Sequence, residues 1–214
     1  FRSQPSAISS LTGIPLSASA GLGIDPGSDE VGVVNRSGIY LDGIDLAIDE
    51  SLYIDAINDS LTLRNSVLSL DSSEGDAGSI TLTGKSVDLK GESRLFARGA
   101  KSGGLIQVGG SWQKSDPSVR EATTVSVGLD VVIDASSSLL GDGGEVVIWS
   151  DIENPDSVTS VAGSLLARGG VNGGDGGRIE TSGFHLDVAG IDISLSSKLP
   201  FKNGIWLLDP YDYT

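Results

Sequence analysis

The chain has 214 residues, 30 of them glycine, with 38% hydrophobic and only 5% aromatic content, which suits one folded, turn-rich, all-β unit; glycine costs about 1 kcal/mol per helical position, which disfavours helices. A formal charge of −15, from 29 acidic and 14 basic residues, excludes nucleic acid as a partner and opposes attraction to an anionic membrane surface. Cysteine and methionine are absent, which removes disulfides and zinc thiolates, and no apolar run reaches the roughly 18 residues of a membrane span.

Residues 1–30, rich in Ser, Gly and Pro, read as an irregular lead-in or an incomplete first coil. The opening FRSQPSAISS shows neither an initiator methionine nor a signal peptide, as expected for a piece of a larger or processed precursor. From residue 31 to 214 the pattern predicts a β-solenoid. Its first part, residues 31–73, alternates aliphatic with Asp, Asn and Ser, most clearly in GIYLDGIDLAIDESLYIDAINDSLTLRNSVLSL (38–70), and suits one to two coils.

Further along, a glycine precedes each alternating run: Gly78 before SITL, Gly104 before LIQV, Gly144 before EVVI, Gly177 before RIET and Gly204 before IWLL. A second glycine closes another short run, at Gly91, Gly128, Gly163 and Gly190. Separations from the first corner to the second are 13, 24, 19 and 13 residues, whereas those from the second to the next first corner are 13, 16, 14 and 14. One side of the coil is nearly constant, and the other carries insertions at GSWQKSDPSVREA (110–122) and SDIENPDS (150–157). A third strand recurs as SRLFARG (93–99), VIDASS (132–137), GSLLARG (163–169) and DISLSS (192–197). The expectation is a coil of about 26 residues with three short strands.

First strands are expected at 79–83, 105–109, 145–149, 178–182 and 205–208, stacking Ile80, Ile106, Val146 and Ile179 into one inward ladder, with Glu145 facing Arg178 outside. The VSVG segment (125–128) slips by one against its neighbours. A stretch such as GGDGGRIETSG (173–183) invites a phosphate-loop or calcium reading, but its relatives at 75 and 141 make it a recurring corner. There glycine is expected to supply positive φ, and Asp to bond nearby amides.

The ordered succession GDGGEVVIWSD (141–151), GSLLARGG (163–170), NGGDGGRIETSG (172–183), LDVAGIDIS (186–194) and GIWLLDPYD (204–212) resembles the carboxy-terminal part of the repeat region in filamentous-haemagglutinin-like (haemagglutination-repeat) exoproteins of the two-partner secretion type. The likeness covers about residues 75–212 and implies a right-handed parallel β-helix, export by an outer-membrane transporter, and an extracellular or cell-surface role in adhesion or surface structure. No amino-terminal secretion domain of that family is recognisable in the sequence. The resemblance supplies no catalytic, cofactor or metal residues.

The expected function is therefore a rod-like structural or adhesive surface module. Candidate partners are surface glycans or proteins, neighbouring segments of the same exoprotein, and end-to-end copies. The rival is a β-helix polysaccharide lyase or hydrolase, which needs converging carboxylates. Asp88 and Asp187 share an outward column, but serines occupy the coils between them. His185, the single histidine, has no serine partner legible in the sequence and reads as solvated or packed. The Asp-Pro bonds at 25–26, 116–117 and 209–210 read as turns, with autocatalytic cleavage as the alternative.

Insertions on one face of a solenoid often form its binding surface. The candidate recognition residues are accordingly Trp112, Lys114, Arg120, Glu121, Trp149, Asp151 and Glu153, with the two loops expected side by side. The two tryptophans either offer aromatic faces to sugars or pack beneath the loops.

Overall fold

A computed structural model describes residues 21–23 and 30–211. The expectations for residues 1–20, for Asp25-Pro26 and for the last three residues lie outside the described residues.

An opening strand β1 (Gly21–Gly23) is followed by six coils of three strands each. Coil 1 holds β2 (Glu30–Val34), β3 (Ile39–Asp42) and β4 (Asp45–Ala47), and coil 2 holds β5 (Ser51–Asp55), β6 (Ser60–Arg64) and β7 (Val67–Ser69). Coil 3 holds β8 (Ser79–Thr83), β9 (Ser86–Lys90) and β10 (Arg94–Phe96), and coil 4 holds β11 (Leu105–Val108), β12 (Thr124–Val127) and β13 (Val132–Asp134). Coil 5 comprises β14 (Glu145–Trp149), β15 (Val158–Val161) and β16 (Ser164–Leu166), and coil 6 comprises β17 (Arg178–Gly183), β18 (His185–Asp187) and β19 (Asp192–Ser194). A further strand, β20 (Ile205–Pro210), extends the first sheet.

Corresponding strands stack into three sheets in the order β1-β2-β5-β8-β11-β14-β17-β20, β3-β6-β9-β12-β15-β18 and β4-β7-β10-β13-β16-β19. All pairings are parallel except β1 with β2. The protein is a parallel β-helix.

Because side chains alternate across each strand, one set from every coil points into the central column. Leu52, Ile80, Ile106, Val146 and Ile179 are in register and buried, as are Leu68, Leu95, Ile133 and Leu165 on the third sheet. Burial of this column, at about 25 cal/mol per Å² of apolar surface, is what holds the coils together. The VSVG segment keeps its strand register, Val125 beside Val87 and Val127 beside Leu89. Only its glycine is early, since Gly128 pairs with Lys90's position rather than with Gly91.

In the corners at 141 and 173 glycine supplies positive φ as expected, but the glycine that opens each strand is required for a different reason. Gly78, Gly104, Gly144, Gly177 and Gly204 do not have positive φ; positive values occur beside them at Gly141, Gly173 and Gly174. A Cβ on Gly104, Gly144, Gly177 or Gly204 would overlap the carbonyl oxygen of the equivalent glycine one coil earlier. That same oxygen accepts the next residue's amide, as when Glu145 N–H donates to Gly104 O at 2.9 Å. Coils can stack at this corner only with no side chain between them. The aspartates complete it, Asp142 Oδ1 accepting from Asp175 N–H at 2.7 Å and Asp175 Oδ1 from Lys202 N–H at 2.8 Å.

Asp209-Pro210 also differs from expectation. It lies in β20 rather than in a turn, with Pro210 opposite Gly183. Proline is tolerated there because β20 is the edge strand of its sheet and the missing N–H falls at the strand's end.

Candidate recognition surface

The two insertions both leave the first sheet and return to the second, after β11 and after β14. They lie side by side, joined by a parallel bridge between Ala122 and Ser150 and by Asp151 N–H donating to Ala122 O at 2.8 Å. The shorter loop, 150–157, is tied internally, Glu153 N–H donating to Asp151 Oδ1 at 3.0 Å.

The longer loop does not project straight outward. It folds back over the outer face of the first sheet through a single 3₁₀ turn, Trp112–Lys114, in which Gln113 and Lys114 have positive φ of 44° and 57°. Such conformations are costly for residues with a Cβ and persist where surrounding contacts enforce them. The enforcing contact here is Gln113 N–H donating to Glu180 Oε2 at 2.9 Å. Glu180 stands two coils further along the stack, fully buried beneath the loop, and its second oxygen accepts from Ser182 Oγ at 2.9 Å. Burial raises its pKa above the usual carboxylate range, against the Gln113 and Ser182 hydrogen bonds, and the charges of Asp209 and Glu145 push the same way as burial.

Beside it, Arg178 lies over the Trp112 ring at 4.2 Å and pairs with Glu145. The far end of the loop reaches backwards, where Arg120 Nε sits 3.3 Å from Asp55 Oδ2 on coil 2. The loop thus spans the outer face of the sheet from coil 2 to coil 6. Beneath it lie Val147 and Trp149, both buried.

Of the seven residues proposed from the sequence, three meet in one ridge, exposed Lys114 and Glu153 with half-buried Glu121. Lys114 Nζ bridges Glu121 at 3.0 Å and Glu153 at 3.1 Å, one carboxylate from each side of the loop pair. The Glu121 hydrogen bond, then that of Glu153, holds its pKa above the ordinary lysine value. Trp112 is half-buried at the edge of this cluster, and Asp151 is half-buried and spent on the turn.

Two of the seven are corrections. Trp149 is 1% exposed, its ring covered by Gly110 and its Nε1–H donating to Glu121 at 3.4 Å, so it is a packing residue and not a contact surface. Arg120 does not join Asp151 and Glu153; the buried carboxylate of Asp55 draws it to the other end of the loop. Glu180 and Asp55, which hold the loop down, were not singled out from the sequence, and Arg178 was read only as the outward partner of Glu145, a pairing the structure shows. Each is merely an outward-facing residue on a strand, and nothing local marks it as covered.

The remaining outward acids stay apart. The column on the second sheet runs Asp88, Ser126, Ser160, Asp187, so the two carboxylates are separated by two intervening coils. His185 is exposed on the edge strand β18, edge-on to Phe184 at 5.0 Å. Among the described residues no group of three or more His, Asp or Glu is placed to hold a metal ion.

No protein-family model and no curated protein matches the sequence. Among solved structures, the crystal structure of the HMW1 secretion domain from Haemophilus influenzae is similar in fold, with a TM-score of 0.54 at 19% identity. The alignment covers 88% of this chain and 52% of that one, so this chain spans about half the length of its structural neighbour. The fold likeness is to a secretion domain, where the sequence read alone resembles the repeat region.

Proposed function

We propose that the protein is a rigid segment of a large secreted exoprotein of the two-partner secretion type, carried across the outer membrane by a dedicated transporter and acting at the cell surface as a structural and adhesive module. The continuous coil stack supports the structural half of this reading, and the fold likeness to a secretion domain supports the export route. The adhesive half rests on one observation: the insertions of consecutive coils meet in a single ridge around Lys114, Glu121 and Glu153. The module is not an enzyme in this reading: general acid and base work on a glycosidic bond needs two carboxylates within about 5 to 10 Å across the scissile bond, whereas Asp88 and Asp187 have Ser126 and Ser160 on the two coils between them, and the one-coil neighbours Asp142 and Asp175 each have an oxygen held by a backbone amide.

The test uses the full-length exoprotein on its own cells. Lys114→Glu with Glu153→Lys alters the ridge without touching buried residues, and is expected to leave secretion intact while reducing attachment to the target surface several-fold. Attachment equal to that of the unaltered protein would refute the recognition role and leave a stiff spacer as the better account.

A further inference from the structure

Alongside the longer loop, an open groove of about 1090 Å³ runs down the glycine corner from Glu50 on the second coil to Ile205 on β20. At about 4.8 Å per coil it is roughly 24 Å long and parallel to the stack axis. One wall is the outer face of the first sheet together with Ser115 and Asp116 of the loop, and the other is the row of corner aspartates.

Three features limit what can lie in it. First, the floor offers no peptide edge. The amides of Leu105, Glu145, Arg178 and Ile205 and the glycine carbonyls beneath them bond to one another at 2.9 to 3.2 Å, so a strand cannot add by main-chain pairing. Second, Gln107 is 7% exposed and lines the groove, with its Oε1 accepting from Thr81 Oγ1 at 3.1 Å. The other end of that amide has no partner among the described residues, and turning the amide over would only exchange which end is free. A nearly buried amide open only toward a groove favours a ligand that can donate and accept there. Third, Asp142 and Asp175 each spend Oδ1 on the next coil's amide, leaving Oδ2 as an acceptor facing solvent at a one-coil spacing.

We infer that this groove binds an extended, uncharged glycan, whose hydroxyls meet the Gln107 amide, Ser115 and the free oxygens of Asp142 and Asp175, and whose ring faces lie on the bare glycine floor. Five carboxylates against two cations line the groove, which repels uronates and sulfated chains. A basic peptide meets the charge but not the saturated backbone, and the Glu145 carboxylate is already paired with Arg178. The inference deepens the adhesive reading and rests on it for its biological setting, but binding by the purified chain is measured independently of attachment.

The experiment titrates the purified chain calorimetrically with cellohexaose, chitohexaose, maltohexaose and mannohexaose, and separately with hexagalacturonate and hexalysine. At least one neutral hexasaccharide is expected to bind, with the affinity reduced ten-fold or more by Ser115→Trp, which fills the groove from an exposed position, and at least five-fold by Gln107→Leu. Ser115→Trp carries the test should Gln107→Leu fail to fold. Binding of no neutral hexasaccharide, stronger binding of hexagalacturonate or hexalysine, or neutral binding unchanged in Ser115→Trp would each overturn the inference. Glycan binding in the groove with cell attachment unaffected by Ser115→Trp would uphold the groove as a glycan site and leave attachment to the ridge that Lys114→Glu with Glu153→Lys tests.

Discussion

Truncating Trp149 tests whether the long loop is part of the folded body. The indole is 1% exposed, pressed between the outer face of the first sheet and the backbone of Gly110. A buried tryptophan removes roughly 200 Å² from water, which at about 25 cal/mol per Å² is a ceiling of about 5 kcal/mol. Partial collapse of the loop into the space lowers the cost and the lost Nε1 hydrogen bond raises it, so Trp149→Ala should destabilise by about 3 to 5 kcal/mol. Trp112 is the control on the same loop. It is half-buried and contributes a cation–π contact with an exposed Arg178, so Trp112→Ala should cost only about 1 to 2 kcal/mol. Urea unfolding followed by far-ultraviolet circular dichroism separates the two, and Trp149 emission in a variant with the other tryptophans changed to phenylalanine should resist acrylamide quenching. A cost below about 1 kcal/mol for Trp149→Ala, or ready quenching, would mean that the loop does not sit on the sheet.

Three further outcomes follow from the same geometry. Gly144→Ala places a methyl group against the carbonyl of Gly104 and should cost more than about 2 kcal/mol, whereas Gly128→Ala, whose nearest contact would be an ordinary 3.4 Å, should change stability by less than about 0.5 kcal/mol; equal urea midpoints for the pair would refute close approach as the reason for the glycine column. Glu180→Gln should gain on the unaltered protein as pH rises: a carboxyl whose pKa is raised on folding contributes its stability below the unfolded value near 4.3, and loses it as pH climbs through the folded value. Urea midpoints of the two proteins between pH 4 and 8 check this, and a gap that stays constant or moves the other way would show that burial does not govern Glu180. Lys114→Met leaves stability within about 1 kcal/mol, because the ion pairs it breaks are solvent-exposed, and a larger loss in thermal unfolding would show that the ridge holds the loops together.

The coil was legible in the sequence because its physics is local and repeated. From coil 3 onward the coils stack with a bare backbone at one corner, so glycine recurs at 78, 104, 144, 177 and 204 where coil 2 has Glu50, and filling the column needs an aliphatic residue at every second position after it. The insertions were legible as interruptions of that count, but where they go was not. Contacts from Gln113 to Glu180 and from Arg120 to Asp55 join residues 67 and 65 positions apart, and no spacing rule links a loop to strands two coils away on either side. One signal was available. Outward positions of the first strand read Thr81 and Gln107 on coils 3 and 4, then turn apolar at Val147 and Trp149 on coil 5 before returning to Glu180 and Ser182. An apolar pair on a face that should meet water calls for a cover, and the only long insertion within reach is the one immediately before it. The same cover makes one wall of the glycine groove through Ser115 and Asp116, so the loop that departs from the repeat both shields the sheet and shapes the surface beside it.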